Sequence, residues 1–169
     1  MEMKKNMIKL NLGCGDDIKP ESEGWINCDM FHSDPRVKHV DLNKLPLPFE
    51  DNSVDYILLV QVLEHLTVHP FEFVTDCYRI LKKDGVLHIE LPAFSYGLTH
   101  IRFFHPYQYM NVLFTPGTIN KDYHKRADFE LISLNKEKLP LKDVIWRIYY
   151  IIKSLSYGNL EWKLKKLES

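Results

Sequence analysis

Met7-Ile8-Lys9-Leu10-Asn11-Leu12-Gly13-Cys14-Gly15 is a short apolar run stopped by two glycines. Met7 to Leu12 reads as a strand, and the Gly-x-Gly after it lets backbone pass close to a ligand, because side chains are absent where contact is needed. Taken alone the pattern is equally a tight turn, so its meaning depends on what surrounds it.

Outward from that turn, short β-like runs alternate with longer segments, the mark of an α/β chain built on a parallel sheet. Trp25 to Asp29 reads as a second strand and Val37 to Val40 as a third. Leu45-Pro46-Leu47-Pro48-Phe49 can be neither regular helix nor central strand, since two prolines remove donors and fix φ. Val54 to Val60 is a nearly unbroken apolar run, as in a strand buried on both faces. The spacing of Phe71, Val74, Tyr78 and Leu81 predicts a helix over Pro70 to Lys83, with Pro70 opening it, Lys82 and Lys83 in its last turn and Gly85 closing it. Val86 to Leu91 and Phe129 to Leu134 are the later strands. Asp143 to Ser156 reads as a helix, and Tyr157-Gly158-Asn159 breaks it before a short charged helix.

Length and composition set wide bounds. A chain of 169 residues suits one domain, with 45% apolar and 27% charged residues in the ordinary globular range. A net charge of −1 gives no reason to expect nucleic acid as a partner. The first residues lack the apolar core of roughly 7–15 residues that a signal peptide needs. Val144 to Ile152 is too short to span a bilayer. Cys14, Cys28 and Cys77 form no Cys-x-x-Cys pair and no metal-ligand spacing, and their odd number suits a reducing compartment. A cytoplasmic protein without a metal is the expectation.

Four features then follow one another along the chain: the Gly-x-Gly turn, Asp29 closing the second strand, Asp41-Leu42 after the third, and Gln61-Val62-Leu63-Glu64-His65-Leu66 after the fourth. In open α/β sheets, ligands lie beyond the carboxyl ends of the strands. There an acidic Asp29 can grip both hydroxyls of a ribose. Asp41 can accept from an adenine amino group, while Leu42 offers an apolar face and a backbone N–H. A nicotinamide or flavin reading is weaker, because the third glycine of that fingerprint would fall at Ile18.

The series LNLGCGD, GWINCD, DLNKLPLPFEDNSVDYILLVQVLEHL and YRILKKDGVLHIELP resembles the class I S-adenosylmethionine-dependent methyltransferases, most nearly the small "type 11" branch. The likeness covers roughly residues 7–92. It implies a single domain over 1–169 with a doubly wound, mostly parallel Rossmann-like sheet, a cofactor-binding part at 7–92 and an acceptor-side, helical part at 93–169. It implies S-adenosyl-L-methionine as cofactor, held by Asn11, Gly13, Cys14, Gly15, Asp29, Met30, Asp41, Leu42, Gln61 and His65. A bulky residue at Gly13 is accordingly expected to block the cleft and spare the fold. Two departures stand out. Asn11 occupies the place of an acidic residue that many members carry, and only Asp16 to Gly24 join the turn to the second strand. A whole crossover needs roughly ten residues or more, so the usual first helix must shrink to a turn or two.

Methyl transfer asks the protein mainly for alignment, with a base where the acceptor is a hydroxyl or a protonated amine. The segment Ala93 to Asn111 is expected to face the acceptor, and His100 is the first candidate for that base, since the resembling branch often has His-x-Arg there. The acceptor itself is expected to be a small molecule or a cell-envelope glycan or lipid precursor, on family likeness only. The aromatic and basic tail Leu141 to Ser169 reads as a helix packed on the sheet in place of a final hairpin, with peripheral membrane contact as its alternative. The competing functions are a cofactor-binding regulatory or scaffold protein without turnover, and a dinucleotide oxidoreductase.

Overall fold

The computed structural model describes residues 7–92, 129–134 and 159–166. Among the described residues the strands are β1 (Lys9–Leu12), β2 (Trp25–Asp29), β3 (Val37–His39), β4 (Val54–Val60), β5 (Leu81–Pro92), β6 (Phe129–Leu134) and β7 (Asn159–Lys166), with one α-helix, α1 (Pro70–Ile80). They form a sheet in the order β3-β2-β1-β4-β5-β7-β6. The first five strands are mutually parallel, and β7 runs antiparallel to both β5 and β6.

Side-chain alternation divides the sheet into two unlike faces. Leu10, Leu12, Ile57, Leu59, Leu87, Ile89 and Leu164 join Phe73, Val74, Cys77 and Ile80 of α1 in one continuous core. Burying each such side chain stabilises the fold by about 1.5–3 kcal/mol, so this face holds the domain together. The opposite face carries aligned Lys9, Trp25 and Tyr56, then Asn11, Asn27 and Leu58. Trp25 meets Tyr56 edge-on, Lys9 lies over the Trp25 ring, and the Tyr56 hydroxyl bonds His88 Nδ1.

The short β1–β2 connection holds no α-helix, only a single 3₁₀ turn at Glu21–Glu23. Two buried asparagines replace what a packed helix would provide. Asn27 Oδ1 accepts from Lys19 N (2.8 Å) and Asn27 Nδ2 donates to Lys19 O (2.8 Å). Asn11 Nδ2 donates to Asp17 O (2.8 Å) and to Asn27 Oδ1 (3.2 Å). Side-chain amides thus satisfy backbone groups that helical bonds would otherwise satisfy.

Two expectations need correction. The helix starts at Pro70, behind the N-cap His69, but ends at Ile80 rather than at Lys83. Asn52 N and Ser53 N donate to Arg79 O and Ile80 O, and Leu81 already pairs with Val54 of β4. Sheet pairing therefore overrides helical propensity, and Lys82 leaves the helix to bond Asp55 (2.6 Å). Gly85 lies within β5, between the Val54–Leu81 and Tyr56–Val86 pairs where the register shifts, and a Cβ there would stand 2.8 Å from Lys82 O. At the other end, Asn159–Lys166 is strand β7, not a charged helix, and the antiparallel β6–β7 pair that a helix was expected to replace is present. The physical reason is a period of two: Leu160, Trp162 and Leu164 alternate with Glu161, Lys163 and Lys165, and Leu164 is fully buried against the core. The helical C-terminal extension is thus overturned for residues 159–166; the helix expected at 143–156 lies outside the described residues. Among the described residues, no helix is long and apolar enough to cross a membrane.

Candidate functional site

The order β3-β2-β1-β4 means that the chain runs one way from β1 through β2 to β3, then crosses to the other side for β4. Loops after β1 and β4 diverge at such a reversal and leave a crevice at the carboxyl ends of the strands. All four sequence features sit on that one rim.

The turn after β1 is fixed by β2: Gly13 N and Cys14 N both donate to Cys28 O (2.7 and 3.0 Å). Its two glycines do different things. Gly13 has φ 69°, and a Cβ there would lie 2.7 Å from Val62 Cγ2. A larger residue at Gly13 therefore strikes the buried wall after β4 rather than the open cleft, which corrects the expectation that it would spare the fold. Gly15 has φ 46° and nothing within 4 Å of where a Cβ would stand. Its N–H donates to Asp29 Oδ2 (3.1 Å), while Asp29 Oδ1 accepts from Phe31 N (2.8 Å). The carboxylate is so aimed by two backbone donors, with lone pairs left for further ones. Beside it, Met30 is 43% exposed. His32 Nδ1 accepts from Asp34 N (3.1 Å), which leaves the proton on Nε2, 3.4 Å from Asp16 Oδ1. That contact ties the loop after β2 to the loop after β1.

Val40 N donates to Asp29 O (3.2 Å), drawing the end of β3 against β2. Asp41 Oδ1 accepts from Asn43 N (3.0 Å) and Asp41 Oδ2 lies 3.5 Å from Lys44 Nζ. Leu42 turns its side chain into the core, so the rim receives its backbone rather than the apolar face expected of it. After β4, Gln61 adopts φ 54° and its N–H donates to Glu90 O (2.9 Å). Gln61 Nε2 is buried with no hydrogen-bond partner among the described residues. His65 is exposed, and Glu64 is fully buried.

Asn11, placed in the site by sequence, is buried with its amide engaged by Asp17 and Asn27. Burial and then the neighbouring Asp29 push the Cys14 thiol up to about 11, and burial pushes Cys28 up to about 12. Both stay protonated thiols at neutral pH, fillers of the turn rather than nucleophiles. His100 lies outside the described residues.

Sequence reading missed two devices behind the rim. Arg79 donates to Asp76 Oδ1 (2.6 Å), Asp51 Oδ1 (2.6 Å), Phe49 O (2.9 Å) and Leu47 O (3.0 Å), and Leu47 N donates to Asp76 Oδ2 (2.6 Å). This clamp shapes the proline-rich passage from β3 to β4, and the Asp76 and Asp51 carboxylates hold the Arg79 guanidinium firmly charged. The other device is Asn43, which reaches the loop after β4. Neither pairing has a local sequence signal, because partners lie 24 or more residues apart for Asn43 and 28 for Arg79–Asp51.

A parallel sheet of this order, closed by an antiparallel last strand and carrying a glycine turn and acidic strand ends on one rim, defines the Rossmann-like methyltransferase fold. Residues 17–89 match the family described as "Methyltransferase domain". The chain is 43% identical over 60 residues to a protein of Mycolicibacterium smegmatis named a probable S-adenosylmethionine-dependent methyltransferase; the match takes in 34% of this chain and 22% of that relative. A solved S-adenosylmethionine-dependent methyltransferase from Archaeoglobus fulgidus superposes with a TM-score of 0.58 at 20% identity, covering 96% of this chain and 87% of that one. Phosphoethanolamine N-methyltransferase 2 of Haemonchus contortus, solved with S-adenosyl-L-methionine, gives 0.56 at 16% identity, covering 99% of this chain and 50% of that one. At these identities the solved structures speak for the fold.

Proposed function

We propose that this chain binds S-adenosyl-L-methionine in the crevice at the β1–β4 reversal and transfers its methyl group to a small-molecule, glycan or lipid-precursor acceptor in the cytoplasm. The observation that carries the reading is the pair Gly15–Asp29. A glycine whose Cβ direction is empty stands beside a carboxylate that two backbone N–H groups already orient. The donor set fits the cofactor in three places. Asp29 accepts from ribose hydroxyls, Asp41 from the adenine amino group, and the unpartnered Gln61 Nε2 donates to the methionine carboxylate. Asn11, tied into the β1–β2 loop, acts on the turn's shape instead of on the ligand. Three free, buried cysteines suit a reducing compartment.

When bound, the cofactor supplies an activated methyl on a sulfonium with an excellent leaving group. The chain's part is to hold the adenosyl end fixed while the rim after β4 aligns the acceptor, which can contribute about 7–11 kcal/mol in well-oriented systems. Held by Asp29, Asp41 and Gln61, the cofactor would give its methyl to the acceptor's electron pair and leave as S-adenosylhomocysteine. An acceptor proton goes to a base, for which His100 is the candidate. The test is calorimetry with S-adenosylhomocysteine, followed by labelled-methyl transfer to metabolite and glycan extracts. Micromolar binding, weakened by roughly 2–4 kcal/mol in Asp29→Ala as charge-assisted hydrogen bonds are lost, is expected. Absence of binding overturns the proposal; binding without transfer to any extract favours the scaffold reading.

A further inference from the structure

The walls that the proposed function assigns to adenine and to the methionine end belong to strands that do not touch. β3 and β4 are separated by β2 and β1 in the sheet. Nothing in the ladder therefore fixes the distance between the loop at Asp41–Asn43 and the loop at Gln61–Val68. One side chain does. Asn43 Oδ1 accepts three hydrogen bonds from the second loop: from Thr67 N (2.6 Å), Thr67 Oγ1 (2.8 Å) and Val68 N (3.4 Å). Those two amides precede α1, where backbone donors lack helical partners, so the oxygen meets a ready demand. On its own side, Asn43 N bonds Asp41 Oδ1 (3.0 Å), and Lys44 N bonds Asp41 O (3.1 Å). Beneath the bridge, Leu42 and Leu66 are both in the core. The Asp41 turn and the loop ending in Thr67 thus form one braced unit across two intervening strands.

We propose that Asn43 is a positioning residue that sets the spacing of the two walls, so that a ligand touching both meets them already in place. The inference rests on the proposed cofactor reading, and it makes a demand that a purely structural hydrogen bond does not. In Asn43→Ala the backbone N–H of residue 43 remains, so the Asp41 turn survives and an adenine-only ligand keeps its wall. A ligand that spans both walls loses their preset separation and must order them on binding.

The experiment compares S-adenosylhomocysteine, which spans both walls, with adenosine, which reaches one, by calorimetry on the full chain. Asn43→Ala is expected to weaken S-adenosylhomocysteine about tenfold and adenosine less than about threefold. Asn43→Asp keeps the acceptor oxygen and should restore most of the loss. Thr67→Val removes one of the three donors and should give a smaller change of the same kind, with no further loss when combined with Asn43→Ala. Equal weakening of both ligands, or of neither, in a wild-type background that binds both overturns the brace alone. Failure of the wild-type chain to bind either ligand overturns the functional reading, and the brace with it.

Discussion

Gly13 and Gly15 look interchangeable in the sequence and are opposite in their surroundings. Both have positive φ, which costs a side chain about 1–2 kcal/mol. Gly13 adds a Cβ clash at 2.7 Å with the buried Val62, whereas Gly15 adds nothing. Gly13→Ala should therefore lower unfolding free energy by about 2–4 kcal/mol, strain plus overpacking. Gly15→Ala should cost only about 1–2 kcal/mol yet lose most S-adenosylhomocysteine binding, because its methyl enters the crevice. Urea unfolding beside calorimetry separates the two, and the reverse pattern would relocate the site. The glycines, Asp29 and Asp41 were legible because turn chemistry and strand ends are local. That Val62 fills the space over Gly13 was not, since that contact exists only once β1 and β4 lie side by side. Titration gives a second handle at this scale. Cys14 and Cys28 rise to about 11 and about 12 from an ordinary 9.0, chiefly through burial. A folded pKa above the unfolded one gives stability that is complete below pH 9 and lost as pH climbs through the folded values. The urea midpoint should hold steady between about pH 7 and pH 8.5 and then fall; a midpoint unchanged up to about pH 11 would contradict the buried-thiol account.

The β1–β2 connection shows what an element can be replaced by. Its shortness was readable by counting residues from Gly15 to Trp25, and the absence of a full helix followed. The means of holding the loop was not readable, because Asn11 and Asn27 look like ordinary polar residues in strands. The sheet register sets them side by side, on the face away from α1. Asn27 is fully buried and satisfies both Lys19 backbone groups. Asn27→Ala strands the Lys19 N–H and carbonyl and one Asn11 bond, at about 1–3 kcal/mol for each group left unsatisfied. A loss of about 3 kcal/mol with early exchange of the Lys19 amide is the expected outcome, read by urea unfolding and hydrogen exchange. A loss below about 1 kcal/mol would mean that water replaces the side chain freely. The end of α1 makes the same point from the other side. Phe71, Val74, Tyr78 and Leu81 kept helical spacing into a residue that the sheet had already taken, and the competing Val54–Leu81 pairing is invisible to a local window.

For the molecule as a whole, the tail decides whether the domain is closed. The lysines of Asn159–Lys166 suggest a charged helix, but the alternation of its residues makes it the strand on which β5 and β6 both depend. β5 is the last of the parallel strands, and without β7 its outer ladder from Val86 to Pro92 would be bare. Open hydrogen-bonding edges of that length template association. β7 is also pinned from its far end. Lys166 Nζ donates to Tyr78 O (3.0 Å), Leu81 O (2.8 Å) and Asn52 Oδ1 (2.8 Å), an ammonium set on the carbonyls that end α1. Deleting residues 159–169 should therefore unfold or aggregate the chain rather than release a membrane contact. Lys166→Met should keep the strand and remove the tether, destabilising by about 1–2 kcal/mol with the cofactor site intact. The two variants answer different questions when melted and sedimented together. A monomeric, cooperatively folded truncation would show that the five parallel strands and α1 suffice, and β7 would then be free to serve another surface. An aggregated truncation beside a folded Lys166→Met variant would make the antiparallel strand the part that seals the sheet, and with it the rim on which the proposed chemistry stands.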